Sequence, residues 1–155
     1  MTRPERPDTR LSPDDWRVQV WLTFLAAHAK VTGELERQLS DVVQLPLSWY
    51  DVLLQLAEAP ERRLRMAELA ERVLLSRSGL SRLVDRLQRE ALVSRVPYPG
   101  DARGTYTVLT EQGMRRLREA SPHHLAGVQQ FWLSRFNDDE LRTLARLLGR
   151  IADPA

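Results

Sequence analysis

The feature that most constrains this chain is a change of hydrophobic period near residue 91. Upstream, Val20, Trp21, Phe24, Leu25, Val31, Leu35, Leu39 and Val42 recur at helical spacing. Downstream, Leu92-Val93-Ser94-Arg95-Val96 and Thr105-Tyr106-Thr107-Val108-Leu109 are rich in β-forming residues. They flank the Pro/Gly loop from Pro97 to Gly104. Two short strands around such a loop predict a β-hairpin. Beyond Thr110 the helical spacing returns. The fold class is therefore mainly α with one small β-hairpin.

Helix punctuation fills in the rest. Residues 1–11 are Pro-, Arg- and Asp-rich with little to bury, which predicts a mobile tail. Ser12-Pro13-Asp14-Asp15 reads as the start of a long first helix, one that exceeds the needs of a small domain and so predicts packing on a partner. Gln44-Leu45-Pro46 breaks it, and Ser48 with Asp51 restarts a second helix that stops at Pro60. Ala67, Leu69, Ala70 and Val73 mark a short third helix. Ser76 is an N-cap for a fourth helix from about Arg77 to Ala91. Thr110 caps a fifth that Pro122 bends, and Asn137 with Glu140 forms a capping box for the last. The order helix, short helix, turn, helix, hairpin is that of a winged helix-turn-helix.

The 155 residues suit one domain with flanking helices. The absence of cysteine excludes a disulfide scaffold, a cysteine-based zinc site, an iron–sulfur cluster and a thiol switch. The apolar runs fall short of a membrane span, and the start lacks a signal-peptide core, so a cytoplasmic protein is expected. Of 23 basic residues only Lys30 is lysine, and the net charge is +2. That figure hides a segregation. Residues 62–118 hold 13 arginines against 6 acids, a local +7, and the remainder sums to −5. A basic middle between acidic ends is the footprint of a polyanion partner, although an unevenly charged solvated surface has the same arithmetic.

The fourth helix divides cleanly. At about 100° per residue, Leu80, Leu83, Val84 and Leu87 fall on one side. Ser78, Ser81, Arg82, Asp85 and Arg89 fall opposite, with Arg86 on the flank. Arginine forks onto guanine O6 and N7, and serine hydroxyls reach bases or phosphates. An ordinary amphipathic surface helix shares this pattern. The hairpin tip adds Asp101 and Arg103 between Gly100 and Gly104. An arginine there suits a minor groove, with Asp101 organising an arginine of the helix or wing.

Four phrases together are specific: Ser76-Arg77-Ser78-Gly79-Leu80-Ser81-Arg82-Leu83-Val84-Asp85-Arg86-Leu87, Ala91-Leu92-Val93-Ser94-Arg95, Pro99-Gly100-Asp101-Ala102-Arg103-Gly104, and Val108-Leu109-Thr110-Glu111-Gln112-Gly113. In these the chain resembles the MarR family of bacterial transcriptional regulators. The resemblance implies homodimers built from the first and last helices, with 12–43 and 111–155 as the dimerisation region. It makes 44–110 the winged helix-turn-helix reading one half of a pseudo-palindromic operator in double-stranded DNA. Ser76, Arg77, Ser78, Ser81, Arg82 and Arg86 would then meet the major groove and its phosphates. Arg103 and Gly104 would lie at the minor groove, with Asp101 as wing organiser. The family commonly represses its own gene and a neighbour and releases DNA on binding a small, often phenolic, ligand. Three positions depart from the pattern. Ala91 replaces a glycine suited to a left-handed helix end, Gln88 replaces a common glutamate, and Gly104 replaces a second wing arginine, which weakens the expected minor-groove contact.

Other constellations are less specific. Trp16, Trp21, His28, Trp49 and Asp51 are candidates to line a pocket for a small aromatic or anionic ligand, but aromatics at helical spacing are more often plain dimer core. His28, His123 and His124 are the only histidines, and adjacent histidines on a helix diverge by about 100°, so no metal site and no cofactor are expected. No nucleophile elbow or Gly-rich phosphate loop frames an active site, which argues against an enzyme. The alternative to a specific regulator is a winged-helix protein acting through protein contacts or non-specific nucleic-acid binding.

Overall fold

A computed structural model describes residues 11–73 and 77–152. Its helices are α1 (Trp16–Val43), α2 (Leu47–Glu58), α3 (Met66–Arg72), α4 (Arg77–Arg89), α5 (Glu111–Phe131) and α6 (Asp138–Ala152). Its strands are β1 (Arg63–Arg65), β2 (Val93–Tyr98) and β3 (Asp101–Leu109). The sheet is antiparallel in the order β1-β3-β2. Ser76 and nearly all of the expected tail lie outside the described residues.

The chain divides into two compact units, one up to Gly33 and one from Glu34 onward. The first consists mainly of the N-terminal part of α1. It carries Trp16, Val20, Trp21, Phe24 and Leu25 exposed, with Trp21 stacked on Phe24 at 5.8 Å. α1 begins later than its sequence suggests. Ser12 to Asp15 form a turn, and Asp15 Oδ1 accepts from the Arg17 backbone N–H at 2.9 Å, so Asp15 rather than Ser12 is the cap.

The second unit holds one core. Leu39 of α1, Val52, Leu53 and Leu56 of α2, Leu69 of α3, and Leu80, Val84 and Leu87 of α4 are fully buried together. At roughly 25 cal/mol per Å², each leucine contributes about 2 kcal/mol. Thr107 faces this core from β3, and its hydroxyl donates to Met66 Sδ at 3.4 Å.

The joint between α1 and α2 is held from both sides. Gln44 takes the left-handed conformation at φ 53°. Arg116 of α5 donates to the Val43 carbonyl at 2.7 Å and the Gln44 carbonyl at 3.3 Å, which satisfies the end of α1. The Leu47 N–H at the start of α2 donates to Glu36 Oε2 at 2.8 Å. The Ser48/Asp51 cap read from the sequence does not form, because Pro46 occupies the N-cap position and the remote Glu36 serves instead.

The caps of α5 and α6 behave as read. Thr110 Oγ1 accepts from Gly113 N–H at 2.9 Å. Asn137 and Glu140 exchange bonds of 3.0 and 2.9 Å. α5 continues through Pro122. The hairpin strands run further than expected, and most of the loop foreseen from Pro97 to Gly104 is strand. Only the tip turns, at Gly100 with φ 88°.

α4 ends at Arg89 in a Schellman motif. Leu92 N–H donates to the Leu87 carbonyl at 2.9 Å and Ala91 N–H to the Gln88 carbonyl at 3.0 Å. Ala91 adopts φ 57°. The left-handed end is therefore kept without glycine, at a local cost of about 1 kcal/mol.

Candidate nucleic-acid interface

α4 shows its expected faces. Leu80, Val84 and Leu87 have no exposed area and Leu83 very little, whereas Ser78, Ser81, Arg82, Asp85, Arg86 and Arg89 are exposed. The Arg77 backbone opens the helix, and its side chain lies outside the described residues, as does all of Ser76. Six leucine and valine side chains of α2 and α4 with no solvent exposure fix the inner side of this helix, so its outer side is held rigidly.

The wing is tied to α4 by an ion pair. Arg95 Nη1 of β2 lies 2.6 Å from Asp85 Oδ1 and also donates to Gln88 Oε1 at 3.2 Å. Asp101 has a narrower role than pairing with an arginine side chain. Its Oδ1 accepts from the Arg103 backbone N–H at 3.0 Å, which fixes the tip and leaves the Arg103 guanidinium outward. Gly104 belongs to the same arrangement. A Cβ there would lie 3.2 Å from both Asp101 Oδ2 and Tyr98 Cβ, so glycine lets the carboxylate fold against the strand.

The arginines of the basic middle separate into two sets. Arg62 pairs with Glu111 at 2.8 Å, Arg63 with Glu61, Arg95 with Asp85, and Arg116 with Glu119 at 2.8 Å. Among the described residues Arg65, Arg72, Arg82, Arg86, Arg89, Arg103, Arg115 and Arg118 form no ion pair. Of the pairs, Arg62–Glu111 and Arg95–Asp85 join separate elements, and the other two are local. Of the unpaired set, Arg82, Arg86 and Arg89 lie on the outer side of α4, Arg103 at the wing tip and Arg65 at the start of α3, where a polyanion would supply acceptors; Arg72, Arg115 and Arg118 lie at the end of α3 and on α5.

Sequence reasoning missed Arg65, Tyr98 and Tyr106. Arg63-Leu64-Arg65 reads as a basic link, yet it forms β1, with Arg65 opposite Tyr106. The signal was a period-two alternation only three residues long, with buried Leu64 between two arginines.

The ligand-pocket candidates are distributed as follows. Trp16, Trp21 and His28 are exposed in the first unit. Trp49 and Asp51 are half-buried in the second, and burial raises the Asp51 carboxyl above its ordinary value, opposed by a hydrogen bond from Gln55. His124 stacks on Tyr50 at 4.4 Å, and burial holds its imidazole below the ordinary value of 6.5. Among the described residues no group of three metal-ligating side chains converges, and no helix is long and apolar enough to cross a membrane.

Known proteins share this arrangement. A MarR family model matches residues 43–104, the segment that carries α4 and most of the wing. The Streptomyces coelicolor MarR family regulator Sco3205, solved in complex with DNA, superposes with a TM-score of 0.84 at 33% identity, over 96% of this chain and 92% of that one. An uncharacterized HTH-type transcriptional regulator of Bacillus cereus is 30% identical over 132 residues, covering 85% of this chain and 86% of its own. The HTH-type transcriptional repressor YetL of Bacillus subtilis is 29% identical over 145 residues, covering 94% and 86%. The family's members are regulators of transcription and not enzymes. With its winged helix, its outward arginines and these relatives, the chain belongs to the MarR family of DNA-binding transcriptional regulators.

Proposed function

We propose that the chain acts in the cytoplasm as a homodimeric repressor that reads a pseudo-palindromic operator and is released by a small aromatic or anionic ligand. The observation that carries the reading is the exposed, unpaired set Arg82, Arg86, Arg89 and Arg103 on α4 and the wing tip. In it Ser76, Arg77, Ser78, Ser81, Arg82 and Arg86 meet the major groove and its phosphates. Arg103 enters the minor groove, with Asp101 holding the tip and Gly104 beside it. Residues 44–110 form the reading unit, and 12–43 with 111–155 the dimerisation region. Support for the dimer comes from apolar faces left exposed on α1 (Trp16, Val20, Trp21) and on α6 (Leu147, Leu148, Ile151). Repression is supported by the similarity to YetL. Ligand release rests on Trp16, Trp21, His28, Trp49 and Asp51. A fluorescence titration with aromatic carboxylates, read beside a DNA mobility shift, tests it: quenching together with loss of the shifted band is expected. Quenching without release would leave a ligand-binding protein whose DNA contact is not regulated.

A further inference from the structure

The outer face of the wing sheet carries two packed tyrosine rings with a cation at each end. The register pairs Arg65 with Tyr106 and Tyr106 with Val96, so Arg63, Arg65 and Tyr106 share the face opposite buried Leu64 and Thr107. Tyr98, two residues beyond Val96 in β2, joins them on that face. The Arg63 guanidinium lies 4.6 Å from the Tyr106 ring centre, Tyr106 lies 5.1 Å from Tyr98, and Arg65 lies 3.5 Å over Tyr98. The two end cations differ. Arg63 is paired with Glu61, whereas the guanidinium of exposed Arg65 forms no ion pair among the described residues.

Arg65 is also held in place. Its backbone N–H donates to Glu68 Oε2 at 2.8 Å, at the start of α3, and β1 fixes it in register. Together with Tyr98, Asp101, Arg103 and Gly104 it lines a cavity of about 210 Å³ between the wing tip and α3. A Cβ at position 104 would press on two of the cavity's walls, Asp101 and Tyr98. Asp101 shares the cavity but is bonded to the Arg103 backbone and forms no ion pair with either arginine. A guanidinium stacked on a ring uses its flat face for the ring and keeps its N–H fork in the plane. That fork suits a phosphate, and stacking removes in advance much of the freedom a long side chain would otherwise lose on binding.

We infer that Arg65, oriented by Tyr98, is a second cation of the wing and engages a DNA backbone phosphate beside the groove that Arg103 enters. The inference rests on the proposed DNA reading, and it adds a residue from outside both the recognition helix and the hairpin. It also gives Tyr98 a positioning role.

The test measures binding of the full chain to a duplex it selects from a randomised pool, across a range of salt concentrations. Arg65→Gln should bind about tenfold more weakly, and its slope of log affinity against log salt should shrink by about 0.9, the signature of one lost phosphate contact. Arg65→Lys should keep the slope and recover part of the affinity. Tyr98→Leu should weaken binding about threefold with the slope unchanged, whereas Tyr98→Phe should match the wild type. Circular-dichroism melts check that each variant is folded, and Arg65→Met, which keeps the apolar stem and should shrink the slope by the same amount, carries the test if Arg65→Gln is not. Wild-type affinity and slope in Arg65→Gln, while Arg103→Gln is weakened, would overturn the inference and leave the DNA reading intact. A wild-type chain that selects no duplex would overturn both.

Discussion

Asp85, on the exposed side of α4, and Arg95, in the first strand of the wing, lie 2.6 Å apart and lock the helix to the hairpin. The pair is partly exposed, so its worth to folding is small, about 0–1 kcal/mol. Its worth to recognition is larger, because it sets where the wing stands when α4 is in a groove. Asp85→Arg alone should leave the melting temperature nearly unchanged and reduce DNA affinity about tenfold, through geometry and not through charge, since it adds a cation. The double exchange Asp85→Arg with Arg95→Asp should restore most of the loss. A single exchange that binds more tightly than wild type would show that the charge matters and the geometry does not.

Backbone conformation gives two stability predictions of opposite sign. Ala91→Gly relieves the left-handed alanine at φ 57° and should stabilise the chain by about 0.5–1 kcal/mol, read from denaturant midpoints. Gly113→Ala should destabilise by at least about 2 kcal/mol. The new Cβ would fall 2.1 Å from the Leu92 carbonyl oxygen, a backbone atom that cannot swing away.

How much of this was legible in the sequence differs from element to element. α4 was readable because Leu80, Leu83, Val84 and Leu87 are all core residues, so its outer face followed by subtraction. The Thr110 and Asn137/Glu140 caps were readable because their partners are three residues away. The cap of α2 was not, since Glu36 lies in another helix and no local pattern points to it. β1 escaped because three residues carry too little periodicity, and with it went Arg65. Asp101 was recognised as an organiser, but its bond to a backbone N–H, and the room Gly104 leaves for it, depend on the register of the strands.

His124 predicts an acid sensitivity. The unfolded chain takes up a proton near the ordinary 6.5, whereas burial keeps the native imidazole neutral to lower pH. Stability should therefore fall as pH drops below 6.5, until the native imidazole itself protonates. Denaturant midpoints of wild type and His124→Phe should run parallel above that pH and converge or cross below it, with wild type losing more. Asp51 acts in the other direction. Its raised value means a cost while it is charged, so Asp51→Asn should stabilise near neutrality, with the advantage fading as pH falls through the native value.

The exposed apolar faces of α1 and α6 predict self-association. Trp21→Glu and Ile151→Glu should each shift the sedimentation profile from dimer toward monomer and weaken binding to a two-half-site duplex more than to a single half-site. Unchanged sedimentation in both variants would place the dimer contact elsewhere.

The central claim is that α4 reads base sequence. Its most direct measurement compares, at one salt concentration, the affinity of wild type and Arg82→Ala for the selected duplex and for a scrambled duplex of the same composition. Wild type should prefer the selected duplex by at least about a thousandfold. Arg82→Ala should lose about 1–3 kcal/mol on that duplex and little on the scrambled one, so that preference relaxes at one base position. Equal affinity of wild type for both duplexes, with a steep salt dependence, would contradict sequence-specific reading and leave only electrostatic binding.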